Sequence, residues 1–382
     1  MSDFIFRITP NIVLGSYTLS RLGQQALEWG TRFIVIMDPI LTEMKVQEKV
    51  VQSLNDRKIE NFVFNELSDG NTSKIAQRAL SLAKQGHIHG VIAVGGAKAI
   101  NIGRIVASFY NEVHDLYTFL DGAVPSTNPI PCICVPTLFR TPFVFTNDVP
   151  LKDSRNNQIK VIKIQNNVTK LVLIDPNLML TLTENQKSTL TIEIMNMATE
   201  AYLSQKANFF SDMFVEKGLQ LLSYAVNGSP SLEITTPQEI LLAQAGVMIS
   251  LATAASSLGL SSVLALTINS RYRVNKSLIS SILMPYAVED AAKFKSKRIE
   301  KLAHIMGIAE EETTGEDAVK AYIDFVRQKI AKANLPARLK DLQLTIEKLS
   351  LAVEDVADID VINKLPRSMT TDDIFDFIKQ AF

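Results

Sequence analysis

The feature that most restricts the fold is a regular alternation of strand and helix patterns through the first half of the chain. Short apolar runs predict buried strands, and the stretches between them have helical periodicity. Strands separated by helices predict βαβ units, a parallel sheet and right-handed crossovers. The predicted strands are "FIVIMD" (33–38), "NFVFNEL" (61–67), "GVIAVGG" (90–96), "PCICVPT" (131–137), "QIKVIKI" (158–164) and "KLVLIDP" (170–176), with helices over 42–56, 72–85 and 97–110 and a short strand pair, "FIFRI" and "NIVLG", ahead of them.

The pattern changes after Asp175-Pro176, and from about Glu184 to the end the periodicity is helical. A chain of 382 residues is long for a single core, which favours two domains. We predict an α/β nucleotide-binding-like domain with a Rossmann-like parallel sheet over residues 1–185 and an all-helical domain over 186–382. The stretch from Gln244 to Asn269 has no charged residue and is long enough to span a bilayer. Its serines, threonines and glycines favour a pair of buried helices instead.

The charge balance argues against a polyanionic partner. Lysine and arginine number 39 and aspartate and glutamate 40, so no global basic field exists for nucleic acid or an anionic membrane. The two cysteines, Cys132 and Cys134, lie on one predicted strand with backbones too far apart for a comfortable disulfide. With no signal peptide at the N-terminus, a reducing cytoplasm is the expected location.

Ligands of open parallel sheets bind beyond the carboxyl ends of the strands, and two such ends carry candidate residues. Asp38 closes the strand 33–38, where an acid can accept hydrogen bonds from a ribose or can cap the next helix. Gly95 and Gly96 lie at a strand-to-helix turn, where bare amides and a helix dipole can receive a pyrophosphate. Tight packing of helix on strand requires the same glycines, so both interpretations stay open.

The order of these segments resembles the iron-containing (group III) alcohol dehydrogenase family, which includes glycerol dehydrogenase and dehydroquinate synthase relatives. The similarity covers nearly the whole chain in register and implies that family's fold. The family's "GGGSxxDxAK", "PTTAGTGSEVT", "GMDALTHAIEAY" and "LGLAHALAHALG…PHG…LLPY" appear here as "VGGAKAINIGR" (94–104), "PTLFRTPFVFT" (136–146), "TIEIMNMATEAY" (191–202) and "LGLSSVLALTIN…NKS…LMPY" (258–286).

The resemblance implies a divalent metal held by an aspartate, a histidine one turn later and two further histidines. The residues at these four positions are Glu193, Met197, Ser262 and Lys276. Of these, Glu193 alone is a ligand for a hard or borderline metal, and an ammonium at position 276 would oppose one. The four histidines, His87, His89, His114 and His304, all lie outside 193–276. We therefore expect no iron or zinc, and we predict that Lys276 forms a salt bridge with Glu193 in its place.

The resemblance also implies an NAD or NADP site, here altered. Asn101 and Arg104 replace the acid and the lysine of the family's "DxAK". The loop expected under the nicotinamide and phosphates carries Arg140, Pro142 and Phe143, where the family has small residues. An altered site could instead hold the phosphates with the cations Lys98, Arg104 and Arg140. The candidate cofactor-binding residues are Asp38, Gly95, Gly96, Lys98, Thr137 and Thr141.

Three functions follow from these patterns. The first is a metal-free homologue, an oxidoreductase by descent that has lost the parent alcohol or aldehyde hydride transfer and is retained for binding or assembly. The second is an active NAD(P)-dependent oxidoreductase on a small alcohol or aldehyde, with Lys276 in place of the metal as the candidate catalytic residue. The third is a structural or interaction module. A homodimer formed through the N-terminal strands and a nucleotide or small-molecule ligand are the expected partners.

Overall fold

The computed structural model describes residues 9–67, 72–179, 182–227 and 236–382. The chain separates into two compact units, residues 1–181 and 182–382. The first unit is built around a parallel sheet, and the second is helical.

The first unit contains a parallel sheet of six strands in the order β1-β8-β5-β4-β2-β3, together with a separate antiparallel pair, β6 and β7. The strands are β1 (Asn11–Leu14), β2 (Arg32–Met37), β3 (Glu60–Phe64), β4 (Gly90–Gly95), β5 (Cys132–Pro136), β6 (Asp148–Lys152), β7 (Ile159–Lys163) and β8 (Thr169–Ile174). The helices are α1 (Leu22–Ala26), α2 (Ile40–Glu43), α3 (Val46–Asn55), α4 (Ser73–Gln85), α5 (Ala97–Phe109) and α6 (Leu116–Leu120).

The alternation of strands and helices is confirmed, although the short helices α1 and α6 were not predicted and three further features differ. The helix expected over 42–56 is two helices, α2 and α3, with Lys45 between them in the left-handed region at φ 56°. Strand β6 was not predicted, because Pro150 at its centre argues against a strand. Strand β1 pairs with β8, whereas the "FIFRI" segment of the expected strand pair lies outside the described residues.

The central strands β4 and β5 are buried along their whole length, as a sheet covered by helices requires. Cys132 and Cys134 are both buried and free, with their sulfurs 3.8 Å apart. Asp175, at the end of β8, accepts hydrogen bonds from the backbone amides of Tyr17 and Leu19, each at 3.1 Å. This contact ties the segment after β1 to the sheet, which gives the Asp-Pro motif a structural role.

The second unit consists of α7 (Glu184–Leu203), α8 (Phe209–Asn227), α9 (Gln238–Ala255), α10 (Leu260–Tyr272), α11 (Lys276–Ile305), α12 (Gly315–Lys332), α13 (Ile346–Ala357) and α14 (Thr371–Gln380). The charge-free stretch is therefore two core helices, α9 and α10, as expected. Among the described helices, α9 is long and apolar enough to cross a membrane by length and composition, and 56% of it is buried. The core helix of a soluble protein has the same properties, so this feature alone is weak evidence for a membrane span.

Candidate functional site

The first candidate region lies where β2 and β4 end side by side. The Asp38 carboxylate accepts a hydrogen bond at 2.6 Å from the backbone amide of Gly96, the residue that precedes α5. Asp38 therefore caps α5 from the neighbouring strand, whereas the residue that caps α2 is Pro39, without a side-chain hydrogen bond. The sequence suggested that Asp38 could cap the helix that follows it, which is α2. This prediction is wrong, because the helix that Asp38 caps is α5.

Burial raises the pKa of Asp38, and the Gly96 amide and the charge of Lys98 partly offset that rise. Gly95 has φ +143°, and a Cβ there would lie 2.4 Å from Asp38 Oδ2. Only glycine fits this turn, because both its φ angle and the approach of the carboxylate exclude a side chain. Packing and capping therefore require the glycine at this turn.

The loop that follows β5 packs against its own domain. The amide of Thr137 donates to the carbonyl of Gly95 at 3.1 Å, and the carbonyl of Thr141 accepts from Val144 at the same distance. Thr137 and Thr141 are half-buried, and Arg140 is 4% exposed. The side chain of Arg140 is thus folded into the protein, as is the ring of Pro142.

Arg104 does not act as a phosphate clamp, contrary to the sequence-based alternative. Its guanidinium is buried and donates to Thr169 Oγ1 at 3.1 Å, to the carbonyl of Phe143 at 2.7 Å, and to the carbonyls of Thr146 and Asp148. Arg104 therefore fastens α5 to the loop and to the start of β6. The loop carbonyls and Thr169 thus give the buried guanidinium the acceptors that a buried charged group requires.

These contacts leave an incomplete site for a dinucleotide. Asp38 engages the amide of Gly96, Arg104 serves the loop, and Pro142 has no amide to offer. Lys98, at the start of α5 and half-buried, is the remaining cation near the turn among those proposed as clamps. The residues present do not reproduce the small-residue phosphate loop that the resemblance implies.

The second candidate region is in the helical unit, where α7, α10 and the start of α11 meet. Glu193 on α7 is 5% exposed, and its Oε2 accepts a hydrogen bond of 2.5 Å from Ser277 Oγ. The ammonium of Lys276 lies 3.7 Å from the other carboxylate oxygen, and the Lys276 side chain is 20% exposed. The predicted ion pair is therefore present, and Ser277 adds the shorter contact.

The remaining positions of the expected metal site are also occupied by other interactions. Met197, one turn after Glu193, is buried in the core. Asn196 donates to Ser280 Oγ at 3.0 Å and to Ser262 Oγ at 3.3 Å, which joins α7 to α10 and α11. The sequence-based site contained neither Asn196, Ser277 nor Ser280. An amide on the buried side of an apolar helix is the one signal that could have drawn attention to Asn196.

This donor set does not fit the divalent metal that the resemblance implies. A carboxylate, a thioether, a hydroxyl and an ammonium stand at the four positions, whereas iron and zinc favour imidazoles, thiolates and carboxylates. Within the described residues, no group of three or more histidine, cysteine, aspartate or glutamate side chains is close enough together to hold a metal ion. The place of the ligands is taken by an ion pair and a hydroxyl network.

A parallel α/β domain with a Rossmann-like sheet, followed by a helical domain, defines a two-domain class of α/β and all-helical architecture. Residues 9–176 match the family described as iron-containing alcohol dehydrogenase, and residues 189–382 match the C-terminal region of the Fe-containing alcohol dehydrogenase family. The chain belongs to the iron-containing alcohol dehydrogenase family.

The similarity to the relatives named here extends over nearly their full length at low identity. Lactaldehyde reductase of Escherichia coli K12 is 20% identical over 352 residues, which cover 91% of each chain. 1,3-Propanediol dehydrogenase of Citrobacter freundii is 21% identical over 380 residues, or 98% of each chain. A crystal structure of 1,3-propanediol oxidoreductase superimposes with a TM-score of 0.91 at 19% identity and covers 100% of both chains. These relatives confirm the predicted fold class.

Proposed function

We propose that this protein is a metal-free member of the family that lacks the parent alcohol or aldehyde hydride transfer and is retained as a ligand-binding or assembly protein. The observation that carries the proposal is the contact of Lys276 and Ser277 with Glu193, at 3.7 and 2.5 Å. A cation bound at this point would have to displace an ammonium of the same sign of charge.

The chemical argument concerns the developing alkoxide. Hydride transfer from an alcohol requires stabilisation of that negative charge, and a divalent metal bound there would supply it as a Lewis acid. Each 1.4 kcal/mol of lost transition-state stabilisation lowers the rate by about tenfold. The loss of several kcal/mol would therefore lower the rate of hydride transfer by several powers of ten. Since Lys276 is already paired with Glu193, part of its charge is compensated, and it is a weaker electrophile than a divalent cation.

One observation favours the alternative, an active NAD(P)-dependent oxidoreductase. The ammonium of Lys276 is 3.7 Å from the carboxylate, longer than a good hydrogen bond, and its side chain is 20% exposed. The ammonium is therefore partly accessible to a substrate oxygen. This function would place Lys276 at the reacting atoms.

Turnover separates the two functions. The purified protein is assayed with NAD and NADP on short alcohols, and with the reduced cofactors on the matching aldehydes, beside Lys276→Met and Lys276→Arg. We expect the wild type to be no faster than Lys276→Met, with or without added iron or zinc. Turnover that is lost in Lys276→Met and partly kept in Lys276→Arg would establish the alternative and overturn the proposal.

Assembly and location belong to the same proposal. Strand β1 is at the end of the sheet order, with β8 as its neighbour, which supports pairing between the N-terminal strands of two copies. The buried free thiols of Cys132 and Cys134 support a reducing, cytoplasmic location. Light scattering at micromolar concentration is expected to give the mass of a dimer, and a monomer would contradict this part of the proposal.

A further inference from the structure

The helical unit contains a partly enclosed cavity between α7, α10, α11 and the chain that leads into α14. Its volume is ≈ 50 Å³, and one water needs roughly 10–15 Å³ in this measure, so the cavity has room for a few non-hydrogen atoms. Most of its lining is apolar, with Leu260, Val288, Leu365, Met369 and Phe377 among the lining residues.

Glu200 supplies a buried carboxyl group to this lining. It lies seven residues after Glu193 on α7, about 10 Å further along the helix. Its side chain is packed against Gly259, where an added Cβ would be 2.7 Å from Glu200 Cγ. The glycine before α10 is therefore required for the carboxyl group to reach its position.

The two oxygens of Glu200 differ in their contacts. Oε1 accepts a hydrogen bond of 3.0 Å from the backbone amide of Ser262, in the first turn of α10. Oε2 is buried and makes no hydrogen bond with any atom of the described residues, and Glu200 as a whole is 8% exposed. A buried polar atom without a partner is costly, which favours a ligand atom as its partner.

The other ionisable groups of the lining are already paired. Arg367 contacts Asp290 at 3.0 Å, and Lys364 contacts Asp360 at 3.2 Å. Burial raises the pKa of Glu200, because the charged form loses its hydration, and this favours the neutral acid, which can donate a hydrogen bond. An apolar cavity with one such group suits a neutral ligand better than an ion.

We propose that this cavity binds a small neutral molecule with an apolar body of a few carbon atoms and one carbonyl or hydroxyl oxygen, hydrogen-bonded to Glu200 Oε2. The cavity lining includes Asn196 of the neighbouring network but not Glu193, Lys276 or Ser277, the residues that carry the proposed function. The proposal therefore goes beyond the proposed function and is tested separately from it. The apolar walls select the carbon chain, and the carboxyl group selects the oxygen.

Ligand-detected saturation-transfer NMR on the full-length protein tests this site. The neutral probes are 2-butanone and 1-propanol, and the charged controls are propylammonium and propanoate. We expect saturable binding of the neutral probes to the wild type and to Glu200→Gln, whose amide can still donate. Propylammonium bound in preference to both neutral probes, and lost in Glu200→Gln, would show a cation site and overturn the proposal.

Two further variants locate the binding. Glu200→Met keeps the length of the side chain without its oxygens, and Ala291→Leu fills the cavity from α11 without changing Glu200. Each should weaken binding by roughly tenfold or more, the loss expected for one hydrogen bond or for the occupied space. Circular dichroism checks that each variant is folded. No saturable binding to the wild type, or equal binding to the wild type and Glu200→Met, would refute the site.

Discussion

Replacing Lys276 by methionine removes the charge that lies beside the buried carboxylate of Glu193 while keeping an unbranched side chain. The Lys276 side chain is 20% exposed and that of Glu193 is 6% exposed, so the carboxylate is the more deeply buried partner. In Lys276→Met the hydroxyl of Ser277 still donates to Glu193, but the opposite charge is gone. We expect the free energy of unfolding to fall.

The expected magnitude follows from the geometry. At an effective dielectric constant of about 20, two unit charges 3.7 Å apart attract by about 4–5 kcal/mol, and the desolvation of both groups offsets most of this. Removing one member of a buried pair costs about 3–5 kcal/mol. Because Ser277 retains its hydrogen bond, we expect about 2–3 kcal/mol for Lys276→Met. In the double variant Glu193→Gln with Lys276→Met, neither charge of the pair remains, and we expect a loss of about 1 kcal/mol or less.

Urea unfolding followed by circular dichroism measures the wild type, both single variants and the double variant, which completes a double-mutant cycle. The single variant Lys276→Met should be less stable than the double variant. If the double variant is the less stable of the two, or if Lys276→Met matches the wild type, the two side chains are not coupled and the reasoning fails.

Three further predictions concern the α/β domain. Gly95→Ala should lower the free energy of unfolding by about 2 kcal/mol or more in urea titrations, whereas Gly96→Ala, whose Cβ would be 3.4 Å from its nearest neighbour, should be nearly neutral. Arg104→Met should cost about 3 kcal/mol by the same method, because the hydrogen bonds of the buried guanidinium to Thr169 and to the loop carbonyls are lost, whereas Lys98→Ala should cost little; equal effects would contradict the role of Arg104. Burial raises the pKa of Asp38, so its stabilising contribution is complete below the unfolded value of about 3.9 and is lost as pH rises through the folded value. The stability of the wild type relative to Asp38→Asn should therefore decrease from acidic to neutral pH, and an increase would contradict the direction of that pKa change.

Much of the architecture was accessible from the sequence because the strands of a covered parallel sheet are continuous apolar runs. Strands β4 and β5 are buried along their length and were predicted within one residue at each end. Strand β6 was missed because its pairing depends on β7 and is made despite Pro150. The pairing with β7 makes this segment a strand, although the local sequence preference is against a strand.

In the candidate sites, a contact between two oppositely charged residues could be predicted from the sequence. Contacts that depend on how several side chains pack together could not. The resemblance places Lys276 and Glu193 at neighbouring positions of one site, and their opposite charges predict an ion pair. The structure contains that ion pair. The hydroxyl of Ser277 was not predicted, since its contact depends on how α11 starts beside α7. Arg104 was misjudged because charge suggests phosphate binding, whereas in the fold its guanidinium meets loop carbonyls.

The most direct test of the central claim is the metal content of the protein. The wild type, Glu193→Ala and a variant that restores the family's ligands (Glu193→Asp, Met197→His, Ser262→His and Lys276→His) are produced with iron and zinc supplied, purified without chelator and measured by elemental analysis. We predict far less than one metal per chain in the wild type and in Glu193→Ala, and a clear gain in the restored variant, because its donor set suits a divalent ion. One tightly bound iron or zinc per wild-type chain, lost in Glu193→Ala, would contradict the claim.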